Sequence, residues 1–419
     1  MSTFAVLRPL EGIESMSQGQ WSAALRKLGH TVHVHDLRTT DVDPRANLNQ
    51  LVSDVLNQRP EMIFLEGGGG FNLPEFFLHR QIQNVPVAAF WFDAPIRSYS
   101  CFVKQPGYKE ALKQPNIVHF IWDGFWRKWF DEQVGVRSHP IHLAADPDDF
   151  HPLPRHPEFR DHAVFVGTLI SQKHIDSERK KLPPVGQHIA KAFAANFQDA
   201  LYGTNPYHVL TDTVLTLPQK MITALDTLTQ DNSELVYRLN VFVWMIGKNE
   251  VRKRILREAV KAAPLLILSG NFEETHASEE ELLKVLEAPR ERLAVRDTRD
   301  CAVTDLKNLY AYGRVHLQAT DPQSIDGGIP FRVFQTTACQ RPLLTDKKIE
   351  LEECFRYGSE LLTYNSEVDF AHALEDAMKQ PDLLEHIAEA GRQRFLKEHT
   401  WKHRYEQVMS VARTAIAPG

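Results

Sequence analysis

The chain is poor in cysteine: Cys101, Cys301, Cys339 and Cys354 are the only four in 419 residues, and none of their spacings is that of a zinc or iron–sulfur site. A disulfide-stapled secreted scaffold is therefore not indicated, and the four read as reduced thiols. Excess positive charge is also missing. Lys and Arg number 48 against 54 Asp and Glu, a formal charge of -6, which argues against a surface built for nonspecific nucleic-acid binding and leaves room only for a local basic patch. No apolar run reaches the roughly 18 residues that a membrane-crossing helix needs. Nor does a basic segment followed by an apolar run open at Met1, so a cytoplasmic location is expected. Internal repeats and low-complexity linkers are absent as well.

With 43% hydrophobic and 24% charged residues, the chain has the composition of an ordinary globular protein and more length than one simple core takes up. TFAVLRP and GHTVHVHDL, separated by a helical stretch, read as strand, helix, strand. EMIFLEGGGGF, VPVAAFWFDAP and NIVHFIWDGF continue with short apolar runs that leave through polar or glycine-rich exits. Such runs suit parallel strands buried on both faces, whose functional loops lie at their C-terminal ends. From about 171 to 264 the apolar spacing turns helical. Three or four helices are expected there, with breaks at Pro183, Pro184, Pro206 and Pro218. They would cover a sheet, or else serve acceptor recognition or dimer formation. The basic run Lys248, Arg252, Lys253, Arg254 and Arg257 reads as a solvated helix face, with approach to a phosphate as the alternative.

The most informative stretch is DGGIPFRVFQTTACQRPLLTD, Asp326 to Asp346. Gly327 and Gly328 allow backbone conformations closed to other residues and let main-chain N–H groups come close to a ligand. Pro330 suits the first turn of a helix. Arg332 and Gln335 lie three apart and share one helix face near its positive end. Leu343 and Leu344 open a short strand that ends at Thr345 and Asp346. Glycine loop, helix start and Arg332 together point to a diphosphate site. The alternative is a glycine turn before an ordinary helix, with Arg332 paired to a surface carboxylate.

ECFRYGSELLTYNSEVDFAHAL and IAEAGRQRFLKEHTWKHRYEQV follow the LLTD strand. In chain order, Pro330, Arg332, Phe334, Leu343 to Thr345, Phe355, Gly358, Glu360, Arg392, Arg394, His399, Thr400 and Arg404 form a pattern that resembles the C-terminal half of CgeB-like glycosyltransferases. That family, named for a spore-maturation protein, belongs to the GT-B glycosyltransferases. WFDAP, LAADPDDFHP and AVFVGTL carry the resemblance upstream. Two positions depart from it: Gln335 stands where the family has Glu, and Gln340 where it has Gly. The family's Glu binds ribose hydroxyls, which an amide also does by hydrogen bonding.

The resemblance implies an α/β chain of GT-B fold, two Rossmann-like domains facing across a cleft. Residues 1–150 would form the acceptor side and 151–398 the nucleotide-sugar side, with a helical insertion at about 171–264 and a closing helix, 399–419, crossing back to the N-terminal domain. It implies a metal-independent, hexosyltransferase-like transfer from a nucleoside-diphosphate sugar, without a further cofactor, to an unidentified saccharide, protein or modified nucleic acid. Gly167, Thr168 and Lys173 would join Gly327, Gly328 and Arg332 at the diphosphate. Asn271, Phe272, Asp305 and Tyr310 would lie by the nucleoside, Gln335 by the ribose and Asp326 by the sugar hydroxyls.

Asp93 is the first candidate base, because its neighbours Phe92 and Ala94 are expected to raise its pKa toward a base's range; Glu11 is the second. The plain alternatives are a turn cap for Asp93 and a solvated loop carboxylate for Glu11. Asp146 and Asp148 spell a D-x-D but fall in the linker between domains, where Asp148 or Asp149 is expected to cap a turn, and no metal is expected. His142 and His316 read as structural. Three rival readings stay open: a noncatalytic sugar-nucleotide binder, a GT-B-fold sugar-nucleotide epimerase, and a DNA-modifying glycosyltransferase.

Overall fold

The computed structural model describes residues 1–8, 16–37, 47–221, 233–270, 275–298 and 306–415. The chain forms two compact units. The first comprises Met1–Asp146, Asp326–Ile329 and His399–Gly419, and the second Pro147–Ile325 and Pro330–Glu398.

The first unit is built on six parallel strands: β1 (Thr3–Arg8), β2 (Thr31–Asp36), β3 (Met62–Glu66), β4 (Val87–Trp91), β5 (Ile117–Ile121) and β6 (Ser138–Pro140). Their order is β2-β1-β3-β4-β5-β6, so the direction of winding reverses between β1 and β3. β4 and β5 are buried along their whole length, as expected of β-branched and aromatic strands covered on both faces. The glycine run after β3 is a helical turn, Gly67–Gly70, set by packing. A Cβ on Gly67 would lie 2.3 Å from the Trp91 ring, and one on Gly70 2.3 Å from Leu65.

The helix Trp401–Ala415 belongs to this unit and packs on the helix Met16–Lys27. The Trp401 ring is 1% exposed and 4.9 Å from Trp21, and its Nε1 donates to Gln20 Oε1 at 2.9 Å. Arg404 Nε donates to the carbonyls of His142 and Leu143 at 3.0 and 3.2 Å. Removing a Trp buried to this degree costs about 3–5 kcal/mol, so the helix is anchored through its first turn.

The second unit repeats the plan with β7 (Ala163–Val166), β8 (Leu265–Ser269), β9 (Leu293–Asp297), β10 (Val315–Gln318), β11 (Leu343–Asp346) and β12 (Leu362–Tyr364). All pairs are parallel, in the order β12-β11-β10-β7-β8-β9, and the winding reverses between β7 and β10. Four described helices stand between β7 and β8: Gln172–Lys180, Pro184–Asp199, Pro206–Leu215 and Ser233–Ala262. Pro184 and Pro206 open helices, where the missing N–H costs nothing. The last helix runs 30 residues and serves two cores. Its C-terminal half sets Ile255, Leu256 and Ala259 against the sheet, and its N-terminal half sets Leu235, Leu239 and Phe242 against Val185, Ile189 and Ala190.

The family-like residues near the end of this unit are packing devices. Gln340, just past the helix Phe331–Ala338, takes φ +55°, a left-handed conformation in which glycine is unstrained. Gly358 takes φ +76° in a turn, and a Cβ on Gly391 would meet the Glu360 carbonyl oxygen at 2.4 Å. Arg392 donates to the Ala338 carbonyl, and Arg394 to the Cys354 carbonyl at 2.9 Å, holding the helix Pro381–Glu398 in place. Cys101, Cys339 and Cys354 form no disulfide among the described residues; Cys301 lies outside them. No described helix is long and apolar enough to cross a membrane.

Candidate functional site

In an open parallel sheet, ligands bind beyond the C-terminal strand ends where the winding reverses, because the loops there diverge and leave a crevice. In the second unit that point lies between β7 and β10. The chain leaves β7 through Gly167 and Thr168. The Gly167 N–H donates to the Leu268 carbonyl at 2.9 Å. The Thr168 carbonyl accepts Arg252 Nη1 at 2.6 Å.

Arg252 comes from the long helix, is 6% exposed, and lies over the Phe165 ring at 5.5 Å. Its Nε is buried without a hydrogen-bond partner. Burial pushes its pKa down to about 10, with the Arg332 charge adding to the effect and Asp321 opposing it. Asn249, one turn earlier, accepts the Ile170 N–H at 2.8 Å and donates to its carbonyl at 2.7 Å, which fixes the helix against the loop after β7. The basic run read as a solvated face is therefore split. Arg254 and Arg257 do make surface contacts, with Glu367 and Glu287, whereas Arg252 points inward.

Arg332 occupies the first turn of the helix Phe331–Ala338 and is half-buried. It has no hydrogen-bond or ion-pair partner among the described residues, so the surface-carboxylate alternative does not hold. Burial lowers its pKa, and Tyr310 and Asp321 act in the opposite direction. Asp321 accepts Trp244 Nε1 at 2.6 Å, and Lys248 sits 4.3 Å from the Trp244 ring centre. Two guanidiniums thus share one nearby carboxylate at the crossover point. One positive charge is left over, which favours an anion there.

On the same helix face, Gln335 is 5% exposed and its Oε1 accepts the Tyr310 hydroxyl at 2.6 Å. Burial raises the pKa of that hydroxyl and keeps it a donor. A cavity of about 320 Å³ opens at the ends of β8 and β9, lined by Ser269, Gly270, His276, Ser278, Arg296 and Asp297 among others. Lys173 is exposed on the first turn of the helix Gln172–Lys180, apart from any resolved partner network. Asn271, Phe272 and Asp305 lie outside the described residues, as does Glu11.

In the first unit, the apolar enclosure expected around Asp93 is absent. Phe92 and Ala94 are buried, but the Asp93 side chain is 59% exposed with Arg97 Nη1 3.8 Å away. The glycine loop also departs from expectation. Gly327 and Gly328 are buried and neither adopts a left-handed φ. The N–H groups of Asp326, Gly327 and Gly328 all donate to Asp123 Oδ2, at 3.0, 2.9 and 2.9 Å. They meet a protein carboxylate where the sequence suggested a diphosphate. Asp146 of the D-x-D pairs with Lys27 at 2.7 Å. Among the described residues no group of three or more His, Cys, Asp or Glu is placed to hold a metal ion. His316 is buried and 3.1 Å from the Tyr312 carbonyl, a structural role.

Sequence reasoning missed Asp123 and Asp321 and left Arg252 in a solvated run. The one available signal was an Arg flanked by Val251 and by Ile255, at the apolar edge of its helix.

Residues 252–410 match the family described as Glycosyl transferase-like. No curated protein matches the chain by sequence. Among solved structures, a glycosyltransferase from Rickettsia africae ESF-5 is similar at 10% identity and TM-score 0.58, over 100% of this chain and 99% of the other. Sucrose-phosphate synthase from Thermosynechococcus elongatus is similar at 12% identity and TM-score 0.55, over 100% of both chains. Anabaena Alr3699/HepE in complex with UDP is similar at 10% identity and TM-score 0.54, over 99% of this chain and 100% of the other. The fold is thus of GT-B type, with two parallel six-stranded α/β sheets and four described helices between β7 and β8.

Proposed function

We propose that the protein is a glycosyltransferase that takes a nucleoside-diphosphate sugar, with the nucleotide part of the donor on its second unit. The observation that carries this reading is Arg332: a half-buried cation on a helix first turn, unpartnered among the described residues, at the reversal point of a parallel sheet. The diphosphate is assigned to Arg332 and Arg252, the ribose to Gln335 with Tyr310 behind it, and the nucleoside to the cavity at the ends of β8 and β9. Thr168 and Lys173 border the diphosphate, and Asp326, a few residues upstream of Arg332, takes the sugar hydroxyls. Glycosyl transfer needs its developing charge on the leaving diphosphate stabilised, and preorganised guanidiniums in a partly desolvated site do this without reorganising at the moment of reaction.

Support comes from the family match, which includes Arg252, Arg332 and Gln335, and from the Anabaena protein, which has been crystallised with UDP-glucose as well as UDP. The closer resemblance to CgeB-like enzymes, a metal-independent mechanism without a further cofactor, and a cytoplasmic setting are parts of the same proposal. Asp93 remains the first candidate base and Glu11 the second. A sugar-nucleotide binder without transfer activity is the second reading, favoured by Gln335 in place of Glu and by the exposure of Asp93. Incubation with a panel of radiolabelled nucleotide sugars, with and without saccharide, protein and modified-DNA acceptors, tests the proposal. Acceptor-dependent transfer supports it. Binding without turnover supports the second reading, and neither binding nor turnover refutes both.

A further inference from the structure

Asp123 ends the run NIVHFIWD, is 0% exposed, and has both carboxylate oxygens engaged. Oδ1 accepts the N–H groups of Phe125 and Trp126 at 3.0 and 3.3 Å, capping the helix Gly124–Val134. Oδ2 accepts three successive N–H groups from residues more than two hundred positions away, Asp326, Gly327 and Gly328. Three consecutive main-chain N–H groups converging on one oxygen make a concave anion site, and two residues without side chains let the oxygen approach. In this protein the anion is its own.

We propose that the Asp326–Gly328 loop is a self-filled oxyanion site, and that Asp123 is the positioning residue that holds Asp326 in place for the donor sugar. The physical case rests on charge and count. A buried carboxylate without partners would be too costly to keep, and N–H groups pointed at no acceptor would be costly too, so each side stabilises the other. At least five N–H groups serve the two oxygens, a distribution that a carboxylate supports and an amide does not. An amide has a single acceptor atom and Asn is a favoured helix cap, so Asp123→Asn should keep the local cap through its oxygen and turn its NH2 toward the loop N–H groups, losing the loop bonds. Because the three N–H groups are taken, the diphosphate is left to Arg332 and Arg252, and the loop contributes at the sugar end through Asp326. The sugar-positioning half of this proposal rests on the donor reading above.

The test uses the full chain. Amide hydrogen exchange at residues 326–328 is measured in wild type, Asp123→Asn and Asp123→Ala, the last with sodium formate or, at matched ionic strength, sodium chloride. The expected result is exchange at least roughly tenfold faster at these three amides in both variants, restored toward wild type by formate in Asp123→Ala and not by chloride. Unchanged exchange in Asp123→Asn overturns the proposal, as does failure of formate to restore protection where Asp123→Ala folds. Calorimetry then compares a nucleoside diphosphate with its sugar-bearing form. In Asp123→Asn the nucleoside diphosphate should bind within about twofold of wild type, while any affinity added by the sugar falls roughly tenfold or more. An unchanged difference between the two ligands overturns the positioning role. A wild-type protein that binds neither ligand overturns that role together with the donor reading, and the exchange and rescue results still decide whether Asp123 fills the loop.

Discussion

The Tyr310 hydroxyl donates to Gln335 Oε1 at 2.6 Å in a site where both residues are almost wholly buried. A Glu at this position would accept the same bond through one carboxylate oxygen, so the local geometry tolerates either residue. What the Gln removes is a negative charge on the helix face that carries Arg332. That change leaves more of the Arg332 charge available to a ligand and takes away a charged acceptor for ribose hydroxyls.

Breaking the Tyr310–Gln335 bond from the Gln side should cost more than breaking it from both sides. Gln335→Leu strands a buried hydroxyl and is expected to destabilise the fold by about 1–3 kcal/mol, whereas adding Tyr310→Phe should recover part of the loss. Urea denaturation of the two single variants and the double variant measures this. Additive losses would show that the bond does not couple the residues.

Gln340 carries a conformational strain that a glycine would relieve. Its φ of +55° lies in the region that costs a residue with a Cβ about 1–2 kcal/mol relative to glycine, partly offset by the greater freedom of glycine in the unfolded chain. Gln340→Gly should therefore raise stability by about 0.5–1 kcal/mol, read as a higher thermal midpoint. A lower midpoint would mean that the Gln340 side chain contributes more than its backbone costs.

Acid should destabilise the protein through its buried histidines. His119 is held neutral by accepting Trp91 Nε1 at 3.1 Å on Nδ1, with Nε2 2.9 Å from the Leu112 carbonyl, and burial pushes its pKa down to about 4. His316 is pushed down to about 3, again chiefly by burial. Each folded pKa lies below that of an unfolded histidine, so as pH falls through 6.5 the unfolded chain takes up protons that the native chain does not. Stability should drop by about 1.4 kcal/mol per pH unit for each group between roughly pH 6.5 and 4. Thermal melts from pH 7 to 4.5 should fall steadily, and His119→Gln should flatten the slope. A constant midpoint over that range would contradict the buried neutral states.

Asp93 is a candidate base that must work from an exposed position beside Arg97. Asp93→Asn keeps the shape and removes the basicity. If Asp93 accepts the acceptor proton, the donor dissociation constant should stay nearly unchanged while transfer falls by roughly 10²- to 10⁴-fold. Near wild-type transfer in Asp93→Asn with a large loss in Glu11→Gln would move the base to Glu11. No loss in either would remove both.

Most of the scaffold was legible in the sequence. VPVAAFWF, NIVHFIW, LLILS and LLTD are apolar runs short enough to be strands and flanked by turn residues, and they form β4, β5, β8 and β11. Arg332 and Gln335 were placed on one helix face by spacing alone. Less was legible where partners are distant in the chain. Gly327 and Gly328 look like a phosphate cradle until Asp123 is brought to them, and no local pattern announces a bond spanning more than two hundred residues. Arg252 sits in a run of charges whose members face different ways, and only the packing of Val251 and Ile255 decides which one turns inward. Gly67–Gly70 resembles a ligand loop for the same reason: its need for glycine comes from Trp91 and Leu65, which the fold places against it.

The central claim is that the second unit binds a nucleoside diphosphate through Arg332. Isothermal titration of wild type and Arg332→Ala with UDP, GDP and ADP tests it most directly, alongside a thermal melt to confirm that both fold. A charge-assisted hydrogen bond to phosphate contributes about 1.5–3 kcal/mol, so the variant should bind its preferred nucleotide roughly 10- to 150-fold more weakly. Arg332→Lys should recover only part of the loss, because an ammonium cannot reproduce the planar two-pronged contact. Equal affinity in wild type and Arg332→Ala, or no binding of any nucleoside diphosphate by wild type, would contradict the account.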